Sequence, residues 1–152
     1  MKSKDGHLQN AMRRCQTILA WAVLAIPPTG AVRAGDLKII ANQSVRATSI
    51  SADELKSVFL STKTSLSDGS HVVPVLEKAG ATHEAFLKAY IGKTDSGLET
   101  YYRSLVFTGK ASMPRTLAAD ADVVAYVAKT RGAIGYVGAG AVTDGVKILE
   151  LK

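Results

Sequence analysis

Between residues 71 and 90 an apolar strand passes through a glycine-containing turn into a helix-period segment. That junction restricts the chain to folds that pack helices against a sheet. Val72, Val73, Val75 and Leu76 form the strand, Lys78-Ala79-Gly80-Ala81 the turn, and Thr82 stands where a helix cap belongs. Phe86, Leu87 and Tyr90 then line one face of the helix. The first N–H groups of a helix have no intrahelical partner and carry partial positive charge, so the turn is also a candidate anion site.

The alternation continues on both sides. Leu37–Ala41 reads as a strand, and Ser51-Ala52-Asp53-Glu54 is a capping box ahead of Leu55, Val58, Phe59 and Leu60 at helical spacing. Asp68-Gly69 marks a turn. Gly92 ends the second helix, and Asp95 or Ser96 caps a third, whose apolar face is Leu98, Tyr101, Tyr102, Leu105 and Val106. A loop over residues 107–115 precedes a fourth helix over 119–129, which buries Val123, Val124 and Val127 and closes at Arg131-Gly132. Residues 133–137 are short, apolar and β-rich, as a central strand requires, and 146–151 alternate as a half-exposed last strand. Gly135 and Gly138 serve close approach of a helix to the sheet or a positive φ. Tyr101, Tyr102, Tyr126 and Tyr136 read mainly as core or core-edge aromatics with a hydroxyl reaching water. The fold class is α/β, a central mostly parallel sheet of about four to five strands flanked by helices.

Residues 1–34 are set apart from this pattern. Lys2, Lys4, Arg13 and Arg14 precede an apolar run over residues 18–26, and Val32-Arg33-Ala34 puts small residues at the −3 and −1 positions before Gly35. This is the arrangement of a secretory signal peptide cleaved near Ala34/Gly35, and the apolar run is short for a membrane anchor. The expected mature domain is 35–152, periplasmic or secreted, a length for one core. The signal segment takes five basic residues and one acidic residue with it. The formal charge falls from +6 for the whole chain to +2 for the domain, which gives no nucleic-acid footprint. Cys15 lies in the signal segment, so the domain has no disulfide and no thiolate metal site. His71 and His83 are its histidines, too few and too separate for a metal cluster. No nucleophile elbow, phosphate-binding P-loop or dinucleotide fingerprint occurs, and the expectation is a non-enzyme without a cofactor.

Several stretches together resemble one family. Ile50-Ser51-Ala52-Asp53-Glu54-Leu55-Lys56-Ser57-Val58-Phe59-Leu60 resembles the helix that opens the second lobe of phosphate-type periplasmic solute-binding proteins. Residues 71–86 resemble that family's phosphate-binding strand, turn and helix, and Gly132-Ala133-Ile134-Gly135-Tyr136-Val137 its Gly-Ala-Ile-Gly-Tyr-Val strand. Tyr101-Tyr102-Arg103-Ser104-Leu105-Val106-Phe107-Thr108-Gly109-Lys110 is similar to a short branch of substrate-binding-like proteins of phosphate ABC transporters. The resemblance implies one lobe of a periplasmic-binding-protein-like fold, a small oxyanion such as phosphate as ligand, and a membrane transporter, a second chain or a further copy as partner.

Two departures qualify it. The chain has residues for roughly one of the family's two lobes. The family's turn also carries an Arg and then Ser-Gly-Thr, where this sequence has Leu76, Gly80, Ala81 and a matching Thr82. Loss of the guanidinium and one hydroxyl removes charge-assisted hydrogen bonds of about 1.5–3 kcal/mol each. The candidate oxyanion ligands are Lys78, Gly80, Ala81, Thr82 and His83 at the turn, with Lys110, Ser112 and Arg115 as a second basic segment in the 107–115 loop that supplies the missing cation. The plainer alternatives are a helix cap at Thr82, a surface first-turn His83 and solvated lysines and arginines. A second functional reading is an envelope interaction module that has lost ligand binding.

Overall fold

The computed structural model describes residues 37–152; the signal-peptide expectation falls outside them. In chain order the elements are β1 (Leu37–Ala41), β2 (Ser49–Ile50), α1 (Ala52–Phe59), β3 (Val73–Glu77), α2 (Ala81–Phe86), a π-helical continuation (Leu87–Ile91), α3 (Asp95–Phe107), β4 (Arg115–Leu117), α4 (Asp120–Lys129), β5 (Ala133–Gly138) and β6 (Lys147–Leu151). They build one six-stranded sheet in the order β2-β6-β1-β5-β3-β4. Pairings β3–β5, β3–β4 and β2–β6 are parallel, while β1 runs antiparallel to both β5 and β6.

The sheet has two strands that the periodicity does not reveal, β2 and β4. Each is two or three residues long and sits at an edge, so neither has room for a repeating pattern. The central position expected for 133–137 is observed: β5 lies between β1 and β3.

Strand alternation divides the core into two layers. Ile39, Ala41, Leu76, Ile134 and Tyr136 face α1, α2 and α3, together with Phe59, Phe86, Leu98 and Tyr102. Ile40, Val75, Ala133 and Val137 face α4 and meet Val123, Val124 and Val127. Gly135 is the contact point of that second layer. A Cβ there would stand 2.9 Å from Val123 Cγ1, so the glycine lets α4 lie close to the sheet. Its neighbour Gly138 also serves close approach, with Asp120 Oδ2 3.1 Å from a Cβ position.

Helix ends follow the sequence in part. Ser51 caps α1 by accepting from the Glu54 N–H at 3.2 Å, and Gly92, at φ +71°, ends the π-helical turn as expected. Thr82 does not cap α2: Gly80 holds that position at φ +124°, and Thr82 lies one residue inside the helix. The α3 cap is Thr94, whose hydroxyl accepts from Gly97 N–H, rather than Asp95 or Ser96. Thr94 has the extended backbone that a cap requires, whereas Asp95 and Ser96 already lie within the helix. The apolar stripe of α3 is also narrower than its sequence suggests. Leu98 and Tyr102 are buried, whereas Val106 is half exposed and Phe107 is 93% exposed.

Candidate functional site

The expected turn lies at the carboxyl ends of the parallel strands β3 and β5, where α2 and α4 begin. Lys78 follows β3 and is tied to β4 by its backbone, with its N–H donating to Leu117 O at 2.7 Å. The α2 start at Gly80 and Ala81 is exposed and has no side-chain cap. Gly138, the last residue of β5, brings two further groups to this place. Its N–H donates to Asp120 Oδ2 at 3.1 Å, and a Cβ on it would stand 3.4 Å from Thr82 Oγ1.

His83 is not a surface residue. It is 2% exposed, and its imidazole links two partners: Nε2 lies 3.1 Å from Asp95 Oδ1, and Nδ1 lies 2.5 Å from the Tyr136 hydroxyl. The Tyr136 oxygen also accepts from Glu77 N–H at 3.1 Å. All four groups are satisfied when Tyr136 donates to Nδ1 and a single imidazole proton, on Nε2, goes to Asp95. The Tyr136 hydroxyl thus ends in the core, not in water, because Phe86 stacks on its ring at 3.7 Å and closes the route. An Asp–His–Tyr chain has the order of a catalytic relay. Here burial, the largest influence, pushes the Tyr136 ionisation further above its ordinary value, and a neutral phenol with no exposed surface is no nucleophile.

Two carboxylates that sequence reasoning did not single out dominate the electrostatics. Glu77, the last residue of β3, is 8% exposed, and its Oε2 has no hydrogen-bond partner; Asp120 Oδ1 is likewise buried and unpartnered. Desolvation, with the Asp120 charge adding to it, raises the Glu77 carboxyl from 4.5 to about 7. The only hint in the sequence is an acid closing an apolar strand run, a weak signal when strands commonly end in polar residues.

This gives a pH prediction. Between about 4.5 and 7 the folded protein holds a proton on Glu77 that the unfolded chain releases, so the stability that Glu77 contributes is complete below 4.5 and is lost as pH rises to about 7. Urea midpoints measured from pH 5 to pH 8 are expected to decline in the parent and to flatten over that span in Glu77→Gln. An equal decline in both proteins counts against the assignment.

A cavity of about 290 Å³ beside the turn is lined by Glu77, Lys78, His83, Asp95, Glu99 and Tyr102 among others. Lys78 and His83 therefore do come together. The expected auxiliary cations stand elsewhere. Ser112 and Arg115 line a separate cavity of about 560 Å³ with Val73, Pro74 and Tyr126, and the Arg115 guanidinium lies over the Tyr126 ring, 5.9 Å from its centre. Arg115 opens β4 instead of belonging to the loop, and Lys110 is exposed just past α3. Among the described residues no group of three or more His, Cys, Asp or Glu side chains is arranged to hold a metal.

No family model and no curated protein sequence matches the chain. Solved structures do. The chain is similar to an ABC-type phosphate transport receptor from Vibrio cholerae (TM-score 0.60, 16% identity, 76% of this chain and 46% of the receptor). It is similar to the same degree to a putative phosphate ABC transporter substrate-binding protein with bound phosphate from Clostridium perfringens, at 16% identity over 76% of this chain and 44% of that one. PstS from Borrelia burgdorferi aligns at TM-score 0.58 and 14% identity over 77% of this chain and 47% of its own. The chain spans less than half the length of each. At these identities the likeness concerns the fold alone, and the chain has that of a single lobe of a periplasmic-binding-protein-like α/β fold.

Proposed function

We propose that the chain acts as an exported solute-binding-like domain, presenting one wall of a site for a small oxyanion, phosphate in the first instance. The single observation behind this reading is the open α2 start at the carboxyl end of β3, exposed, without a side-chain cap, and flanked by Lys78. Gly80, Ala81 and Thr82 supply amides and a hydroxyl, and His83 holds the turn in place through Tyr136 and Asp95. One open wall gives little enclosure, so useful affinity needs a second body: a membrane transporter of the ABC type, another chain or a further copy. Glu77 makes the site proton-dependent. Below about pH 7 its carboxyl is neutral and available as a donor; above it the carboxylate repels an anion.

Phosphate titration followed by amide chemical shifts tests this. Saturating shifts at Ala81, Thr82 and His83 are expected in the millimolar range at pH 6 and weaker ones at pH 8. Silence of those amides at about 50 mM phosphate, where a Kd of a few millimolar saturates, rejects the reading for monomer and oligomer alike.

Leu76, Gly80 and Ala81, standing where the resembled family has Arg, Ser and Gly, favour a second reading, an envelope interaction module in which ligand binding has been lost. Exposed Val106, Phe107 and Met113 would then be its contact surface. On that reading the turn is silent to phosphate, and Phe107→Ser weakens association measured by sedimentation.

A further inference from the structure

Arg46 and Arg131 come to one cavity at the other end of the sheet. Three segments distant in sequence meet there: the loop after β1, the turn leading into β3, and the turn between α4 and β5. They enclose a cavity of about 500 Å³ lined by Ser44, Arg46, Gly69, Ser70, His71, Arg131 and Gly132. We propose that this cavity is an anion site that takes a phosphoryl group, separate from the turn at residues 78–83.

The walls are held rigidly by their own hydrogen bonds. Asn42 Nδ2 donates to Val127 O at 2.7 Å and to Ala128 O at 3.0 Å, which fixes the β1 loop to the end of α4. Ser44 Oγ accepts from Gly132 N–H at 3.0 Å, and Ser70 Oγ accepts from Arg46 N–H at 3.0 Å. Gly132 N–H, Arg46 N–H and Asp68 are thereby satisfied within the frame. Ser70 engages both Asp68 oxygens, Oδ1 through its N–H at 2.9 Å and Oδ2 through its hydroxyl at 2.7 Å. These bonds, with the Arg46 charge assisting, hold the Asp68 carboxyl below its ordinary range.

The guanidiniums are not consumed in this way. The ion pairs of the described residues are His83–Asp95 and Arg103–Glu99, so among the described residues neither Arg46 nor Arg131 has a carboxylate partner within 4.0 Å. Arg46 Nη2 lies over the turn, 4.0 Å from where a Gly69 Cβ would be, and Arg131 lines the same cavity from the opposite segment. His71 adds ring nitrogens to the same wall. Two guanidinium forks on one concavity match the several acceptor oxygens of a phosphoryl group, which a single lysine cannot do. Asp68, whose carboxyl feels the Arg46 charge, contributes a negative charge that disfavours fully dianionic ligands. The cavity is open, so the binding is expected to be of millimolar strength for a free ion and tighter for a phosphoryl group carried on a larger molecule.

Inorganic phosphate titrated into the domain, followed by amide shifts, tests the site. Saturating shifts are expected at Gly69, Ser70, His71 and Gly132, and Arg46→Gln or Arg131→Gln should weaken the fitted affinity about tenfold each. Both arginines are exposed, so a circular dichroism spectrum and urea midpoint like the parent's are expected of either variant. Vesicles of phosphatidylcholine with phosphatidic acid, compared with phosphatidylcholine alone, separate a lipid headgroup from the free ion as the source. No saturating shift at those amides by about 50 mM phosphate, or shifts that both variants leave unchanged, overturns the proposal. Because the readout is residue by residue, shifts confined to Ala81, Thr82 and His83 overturn it while supporting the function proposed above.

Discussion

Phe86→Ala is expected to destabilise the domain by about 3–5 kcal/mol, the range for truncating a buried aromatic. Phe86 has no exposed surface, stacks on Tyr136 with ring centres 3.7 Å apart, and meets Phe59 edge-on at 4.8 Å. It therefore joins α1, α2 and β5 in one cluster. Its loss leaves a cavity between elements that cannot close on it, since α2 is tied to the sheet through His83 and Tyr136. Domains of this size are stable by about 5–15 kcal/mol, so the variant should lie near the edge of folding. Urea unfolding at unchanged slope measures it, with Phe86→Leu as a milder companion that keeps most of the volume. A loss below about 1 kcal/mol for the alanine variant contradicts this account of the core.

Gly132→Ala carries the second large effect, about 2–4 kcal/mol, from two sources. The residue sits at φ +75°, where a Cβ costs about 1–2 kcal/mol. The added carbon would also stand 2.8 Å from the His71 carbonyl oxygen, and backbone cannot swing aside as a side-chain tip does. His71 and Gly132 are held together by the Val73 N–H, which donates to Gly132 O at 2.9 Å, so relief of the clash strains the β3–β5 pairing. Gly92→Ala is the control. Gly92 is left-handed too, at φ +71°, with nothing within 4 Å of its Cβ position, so that variant carries the same kind of conformational strain without a clash. Thermal unfolding of both should rank Gly132→Ala as clearly the more harmful. Equal losses would remove the steric part of the argument.

The α/β class, the four longer strands, the four helices and their order are all legible from residue periodicity, because each element is long enough to repeat its pattern. The strands β2 and β4 are not legible, since two or three residues at a sheet edge carry no period. Among the candidate ligands, Lys78, Gly80, Ala81, Thr82 and His83 are sequence neighbours and stay together in space. Lys110, Ser112 and Arg115 lie about 30 residues further along, where only their basic, polar character connects them to the turn, and the packing of Arg115 on Tyr126 places that guanidinium in a different cavity.

What sequence order dictates here is local: a helix start following a strand, a Ser51 cap, and apolar faces that bury Val123 and Val127. What only the tertiary structure decides is long-range. Glu77, Asp120 and Gly138 meet because β3 and β5 run parallel, and Arg46, His71 and Arg131 converge at the opposite end of the same strands. Periodicity reports which face of an element is apolar. It carries no information about which strands become neighbours, and that pairing sets where buried acids lose their solvent and where unpaired guanidiniums collect.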